Sequence, residues 1–303
     1  MLERIRHLLE MIRFSHTLFA LPFAMLAAVM AWTAAPGDTF RWRHLAGVLL
    51  CMVFARSVAM AFNRLVDRKI DAENPRTKSR HLPAGLLSVP AVTAFCVVMA
   101  LGFFASTLLF LPNPLPPLLA LPVLAWLCGY SFARRFTSLA RVWMGAGWML
   151  APGCAWIGIR GEFVLADVRD LLPAAVLGCG VLLWVTGFDI IYACQDYRFD
   201  YGAKLHSIPV ALGVPGALRL AAACHGAMVL VLAALPLTPL AGGPALSLGA
   251  IYWVALGLVA LLLAVEHWLV RPDDLTRVNL AFFHINSIVS IGLFVLGSID
   301  LLL

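Results

Sequence analysis

Six oxygen-bearing side chains, in two groups, are the residues of this sequence best suited to chemistry. Asn63, Asp67 and Asp71 repeat every four residues. On a helix each step of four advances a side chain by only about 40°, so the three share one face. Asp189, Asp196 and Asp200 combine a step of seven with a step of four, and seven residues complete two turns. Carboxylates stacked in this way repel one another, so each group requires a positive partner. Hard Asp and Asn oxygens suit Mg²⁺ bound together with phosphate oxygens. Two such faces, in segments far apart in sequence, point to two metal ions gripping one substrate from opposite sides.

The elements that must position these groups are membrane spans. The 303 residues are 62% hydrophobic and 13% charged, against about 25% charged in a soluble domain. Nine apolar runs of bilayer length are expected: His16–Thr33, His44–Arg64, Val89–Leu111, Pro117–Phe132, Val142–Ile159, Leu171–Ala193, Pro215–Leu235, Ala245–Leu269 and Leu280–Ile299. The fourth is the shortest and contains Pro122. The reading is an all-α, polytopic membrane protein forming one domain over residues 1–303. Residues 1–15 (MLERIRHLLEMIR and onward) form an amphipathic basic segment on the cytoplasmic face rather than a signal peptide.

Of the 22 Lys and Arg, seventeen fall on one side of these spans and four (Arg41, Arg43, Arg160, Arg169) on the other, with Arg56 inside the second span. The rich side is cytoplasmic, with the N-terminus inside and the C-terminus outside. This sorting also explains the net charge of +6 without nucleic acid as a partner. Asp67, Asp71 and Glu73 are expected in the loop after the second span. Both acidic groups lie on the basic side, so function concentrates at one membrane face. The seven cysteines sit singly in apolar runs with no Cys-x-x-Cys, which indicates neither zinc nor a disulfide framework.

An isolated Asp in a cytoplasmic loop is ordinarily a solvated charge paired with a neighbour such as Arg68, Lys69 or Arg198. Asp189 and Asn63 resist that reading, because both lie in apolar stretches (LLWVTGFDIIYA and VAMAFN) where a polar group is costly and usually functional. A transporter for a cation or an anionic lipid also uses intramembrane carboxylates. Transporters, however, bind near the midplane, and these groups lie at one face.

Asn63-xxx-Asp67-xxx-Asp71 resembles the first aspartate-rich motif of the UbiA superfamily of intramembrane prenyltransferases. Asp189-xx-Tyr192-xxx-Asp196-xxx-Asp200 resembles the second. Arg76-Thr77 and Arg80-His81-Leu82-Pro83-Ala84-Gly85 follow the first motif as in the family, and Tyr130-SFA-Arg134 resembles its Tyr-x-x-x-Lys motif with Arg for Lys. The resemblance covers nearly the whole chain and is strongest to the 4-hydroxybenzoate polyprenyltransferase branch, including a bacterial subgroup with some members assigned to menaquinone synthesis by the futalosine route. It implies a helical bundle around a central cavity in the bacterial inner membrane, with the site on the cytoplasmic side. The implied reaction moves a polyprenyl group from its diphosphate to an aromatic acid, 4-hydroxybenzoate or a dihydroxynaphthoate. Haem, chlorophyll or ether-lipid acceptors are the alternatives within the superfamily.

By the resemblance, Asn63, Asp67 and Asp71 hold one Mg²⁺ and Asp189, Asp196 and Asp200 the other, bridged by the diphosphate. Arg76, Lys78 and Arg80 grip diphosphate oxygens. Tyr130, Arg134 and Tyr192 face the donor or the acceptor, and Arg56 binds the acceptor's carboxylate. Read without the resemblance, Arg56 is a buried partner of a carboxylate such as Asp189, and Tyr130 an interfacial anchor. Apolar spans open to membrane lipid accommodate the tail. One departure stands out: Arg64 follows Asn63 where many relatives carry Asp, leaving one carboxylate fewer near the first metal.

Overall fold

The computed structural model describes residues 2–11, 17–35, 40–133, 135–272, 275, 278 and 281–303. Their regular structure is helical: α1 Leu2–Met11, α2 Thr17–Thr33, α3 Trp42–Glu73, α4 Val89–Thr107, α5 Leu115–Ala133, α6 Ala140–Ala166, α7 Leu172–Ala193, α8 Tyr197–Gly202, α9 Ile208–Ala233, α10 Ala250–Leu269 and α11 Asn286–Leu302. Among the described residues eight helical segments are long and apolar enough to cross a membrane, and the shorter α2 stands where the first expected span begins. The span containing Pro122 is a continuous helix, α5.

α7 is the axis of the bundle. Of its most apolar window 61% is buried, against 17–44% for the other seven. It packs between α6 and α9, while α2 closes on α6 and α11, and α3 on α4 and α5. The outer helices expose leucine and valine instead, such as Leu101, Leu118, Leu121, Leu230 and Leu261, as lipid-facing surfaces do. Gly213, with φ +70°, interrupts α9, a backbone geometry that favours glycine.

α3 runs well past the expected end of the second span. Asp67 and Asp71 are therefore on the helix itself and not in the following loop. Nothing in 48–73 breaks the helix until Asn74, whose successor Pro75 disfavours a further α residue. The Asn74 side chain then accepts from the Arg76 amide at 2.9 Å, turning the chain back across the end of α3.

At the opposite end of the bundle Arg160, one of the four sparse-side cations, is no loop residue. It is 1% exposed and grips Asp170 through Nε and Nη2 at 3.0 and 2.6 Å, while Nη1 donates to the Ala34 carbonyl at 3.2 Å. Trp156 Nε1 donates to the same carboxylate at 3.0 Å. Arg160→Met strands Asp170 and is expected to cost about 3 kcal/mol, read as a fall in unfolding midpoint in detergent. An unchanged midpoint would contradict a stapling role.

Candidate active site

Between α3, α5, α6 and α7 lies a cavity of about 360 Å³. One end is charged: Asn63, Asp67 and Asp71 from α3, Arg76 and Arg80 from the following loop, Tyr130 from α5, Arg141 from α6, and Asp189, Tyr192 and Asp196 from α7 and the turn after it. The other end is apolar, lined by Phe103, Phe110 and Leu119. Phe110 is wedged where a Cβ on Gly47 or Gly158 would come within 2.6 or 2.7 Å of its ring. Those two glycines leave the space that the ring fills.

The loop after α3 joins the two acidic groups. Arg76 crosses to Asp196, donating from Nε to Oδ1 at 2.7 Å and from Nη2 to Oδ2 at 2.5 Å, and from Nη1 to the Tyr192 hydroxyl at 2.7 Å. Burial works against the Arg76 cation, yet the bond and charge of Asp196, with help from Tyr192, raise its pKa above the ordinary value. Arg80 Nη1 reaches both oxygens of Asp71 at 2.7 and 2.8 Å, and the Thr77 hydroxyl donates to the Asp71 carbonyl at 3.0 Å. Asn63 donates to Asp67 at 2.9 Å, and Arg135 lies 3.6 Å from the same carboxylate. Asp189 is held by Arg141 at 2.5 Å, both side chains being largely buried. Each of these four carboxylates thus faces an arginine.

Most of the expected site residues converge here, and some do not. Asp200 is wholly buried and outside the cavity lining. The shared face assumed a continuous α-helix. Instead Cys194–Asp196 is a tight 3₁₀ turn of three residues per turn, which rotates Asp200 into the interior within electrostatic reach of Arg141. Lys78 is exposed and also outside the lining. Arg134 lies outside the described residues. Arg56 lines the cavity midway down α3, its guanidinium carbon 5.7 Å from the centre of the Trp148 ring and its Nε buried with no hydrogen-bond partner. The alternative of an Arg56–Asp189 pair fails, because Arg141 occupies Asp189. Arg141 and Arg135 escaped the sequence reading, having been counted only as cytoplasmic loop cations. A signal was available for Arg141, which opens an apolar helix instead of standing among loop residues.

Among the described residues no three His, Cys, Asp or Glu side chains form a ready-made metal site. The donor set nonetheless fits Mg²⁺, which is commonly held by one or two carboxylates plus substrate phosphates and water. Asn63, Asp67 and Asp71 on one wall and Asp189 and Asp196 on the other offer such oxygens.

A helical bundle with a carboxylate–arginine mouth over an apolar chamber defines an intramembrane site for a ligand with an anionic head and an apolar body. Residues 20–288 match the model of the UbiA prenyltransferase family, and the chain belongs to that family. It is 31% identical over 269 residues to 4-hydroxybenzoate octaprenyltransferase of Xanthomonas oryzae pv. oryzae (strain PXO99A), covering 87% of this chain and 82% of that protein. Its fold matches the apo structure of a UbiA homologue from Aeropyrum pernix K1 with TM-score 0.81 and 30% identity, over 95% of this chain and 98% of the other. A UbiA homologue from Archaeoglobus fulgidus, bound to GPP and Mg²⁺, shares the fold at TM-score 0.62 and 19% identity, over 98% and 100% of the two chains.

Proposed function

We propose that this protein transfers a polyprenyl group from polyprenyl diphosphate to an aromatic acid, 4-hydroxybenzoate or a dihydroxynaphthoate, with release of diphosphate, in ubiquinone or menaquinone synthesis. The observation that carries the reading is the cavity's polarity: paired carboxylates and arginines at one end, apolar walls at the other, and one arginine with a buried unmatched Nε between them. The names of the octaprenyltransferase relatives and the GPP and Mg²⁺ of the Archaeoglobus neighbour support it. Its setting is the bacterial inner membrane, with the N-terminus and the charged mouth on the cytoplasmic side, consistent with the excess of Lys and Arg there.

Asn63, Asp67 and Asp71 would hold one Mg²⁺, and Asp189 and Asp196, backed by Asp200, a second. Bound there, the ions neutralise charge on the diphosphate and make it a better leaving group. Arg76 and Arg80, now on Asp196 and Asp71, turn to phosphate oxygens, for which a guanidinium fork is well matched; Lys78 and Arg134 add charge at the rim. The bond between the allylic carbon and the diphosphate oxygen breaks with both electrons leaving on oxygen. The ring carbon of the acceptor forms the new carbon–carbon bond and then loses its proton. Tyr130 and Tyr192 flank this point. Arg56, seven residues before Asn63 and so about 10 Å along the helix axis, anchors the acceptor's carboxylate and presents its ring to the allylic carbon. Phe103, Leu119 and their neighbours receive the start of the tail, and membrane lipid surrounds the rest.

The deciding assay uses membranes, a labelled polyprenyl diphosphate, Mg²⁺ and each acid in turn. Prenylated product that vanishes with EDTA supports the reading, and no product with either acid refutes it. Arg56→Leu is expected to raise KM for the acid by roughly tenfold or more while leaving KM for the donor unchanged. Equal effects on both substrates would remove Arg56 from the acceptor site.

A further inference from the structure

A second, smaller pocket of about 190 Å³ lies beside the cavity, and Arg64, Arg76 and Arg80 line both. Its other walls are Thr77, Ser79 and His81, with Glu10 and Met11 from the end of α1. Met11 is buried in one cluster with Ala61 and Leu87, which fixes α1 over the pocket. Arg64 is 8% exposed and donates to the Asn63 oxygen at 3.2 Å, joining the pocket to the first acidic face. Glu10 lies 3.5 Å from His81 Nε2 and 2.7 Å from Arg6 Nε.

Charged and hydroxyl-bearing residues make up most of the lining. Three guanidinium groups, an imidazole and two hydroxyls suit a small, multiply charged oxyanion, with apolar contact from Met11 and from side-chain stems. The two chambers share Arg64, Arg76 and Arg80 as walls, so the same guanidinium groups face an anion in either.

We propose that this pocket is an exit site for inorganic pyrophosphate, in which Arg64 takes the anion from the main cavity and the Glu10 carboxylate limits how long it stays. The identity of the anion rests on the proposed prenyl transfer. The pocket draws on product rather than on lipid phosphate, because its arginines continue into the main cavity and its outer wall is α1.

The test uses full-length protein in a neutral detergent and measures inhibition of steady-state transfer by added inorganic pyrophosphate. Glu10→Gln removes a like charge at a half-exposed position and is expected to tighten inhibition about threefold. Arg64→Gln removes a charged donor and is expected to weaken it about tenfold. Shifts of opposite sign are not what a merely structural role of either residue would produce. Unchanged inhibition in both variants overturns the proposal, as does inhibition by a short-chain phosphatidate with none by pyrophosphate. A second measurement needs no turnover: thermal stabilisation by pyrophosphate in EDTA should be largest for Glu10→Gln, intermediate for the unaltered protein and smallest for Arg64→Gln. Should no acceptor be prenylated at all, the functional reading fails, while this ordering still decides whether the pocket binds the anion.

Discussion

Asp67→Ala and Asp196→Ala are each expected to lower prenyl transfer by about a hundredfold to a thousandfold or more in protein that still inserts and elutes as a single species in detergent. Both side chains line the cavity, one on each wall. Asp67 is not buried, and Asp196, although only 4% exposed, pairs with an arginine that can turn to solvent when the carboxylate is lost. Asp67 is partly exposed, bonded to Asn63 one turn away. Asp196 is paired with Arg76, which keeps a third of its side-chain surface in contact with solvent. Removing either takes away oxygens that a metal–diphosphate complex would use, so the loss falls on turnover and not on assembly. The measurement is transfer rate against folded protein, across a range of Mg²⁺ concentrations. Near-normal rates in both variants would sink the metal assignment.

The second large effect concerns Arg141 and Asp189, where stability and activity should separate. Both are buried in the span region, and their contact ties α6 to α7. Arg141→Leu leaves an uncompensated carboxylate and should cost about 3–5 kcal/mol, visible as a steep drop in thermal midpoint. Replacing both by leucine removes the stranded charge, and much of the stability should return. Activity should not return, since the second acidic wall has then lost Asp189. A double variant as unstable as the single one would mean that the pair is held by its surroundings rather than by itself. A fully active double variant would mean that Asp189 serves only Arg141.

The first acidic wall was legible in the sequence because it lies on one unbroken helix, where a spacing of four has a single geometric meaning. The second was legible only as far as Asp196. A 3₁₀ turn at Cys194–Asp196 changes the angle per residue, and no residue there announces the change. The spans emerged from hydropathy to within a few residues at many boundaries, although α3 outran its apolar stretch, since charged Arg68 and Lys69 are sound helix formers. The arginine partners were harder to see. Arg80 and Asp71 are nine residues apart, but Arg76 and Asp196 are separated by 120 and Arg141 and Asp189 by 48. Pairings at such range come from tertiary packing, and a charge count by side records only that cations are present.

The length of α3 has one more consequence. Its 32 residues extend about 48 Å at 1.5 Å each, whereas the hydrocarbon layer is about 30 Å thick. The excess carries Asp67 and Asp71 towards the water while the lower turns remain in oil. A single rigid rod therefore holds both phases in register. In the proposed reaction a greasy isoprenoid and a water-soluble ring acid would meet along it without either one leaving its own solvent, which would make the protein a phase-transfer catalyst whose boundary layer is built into one helix.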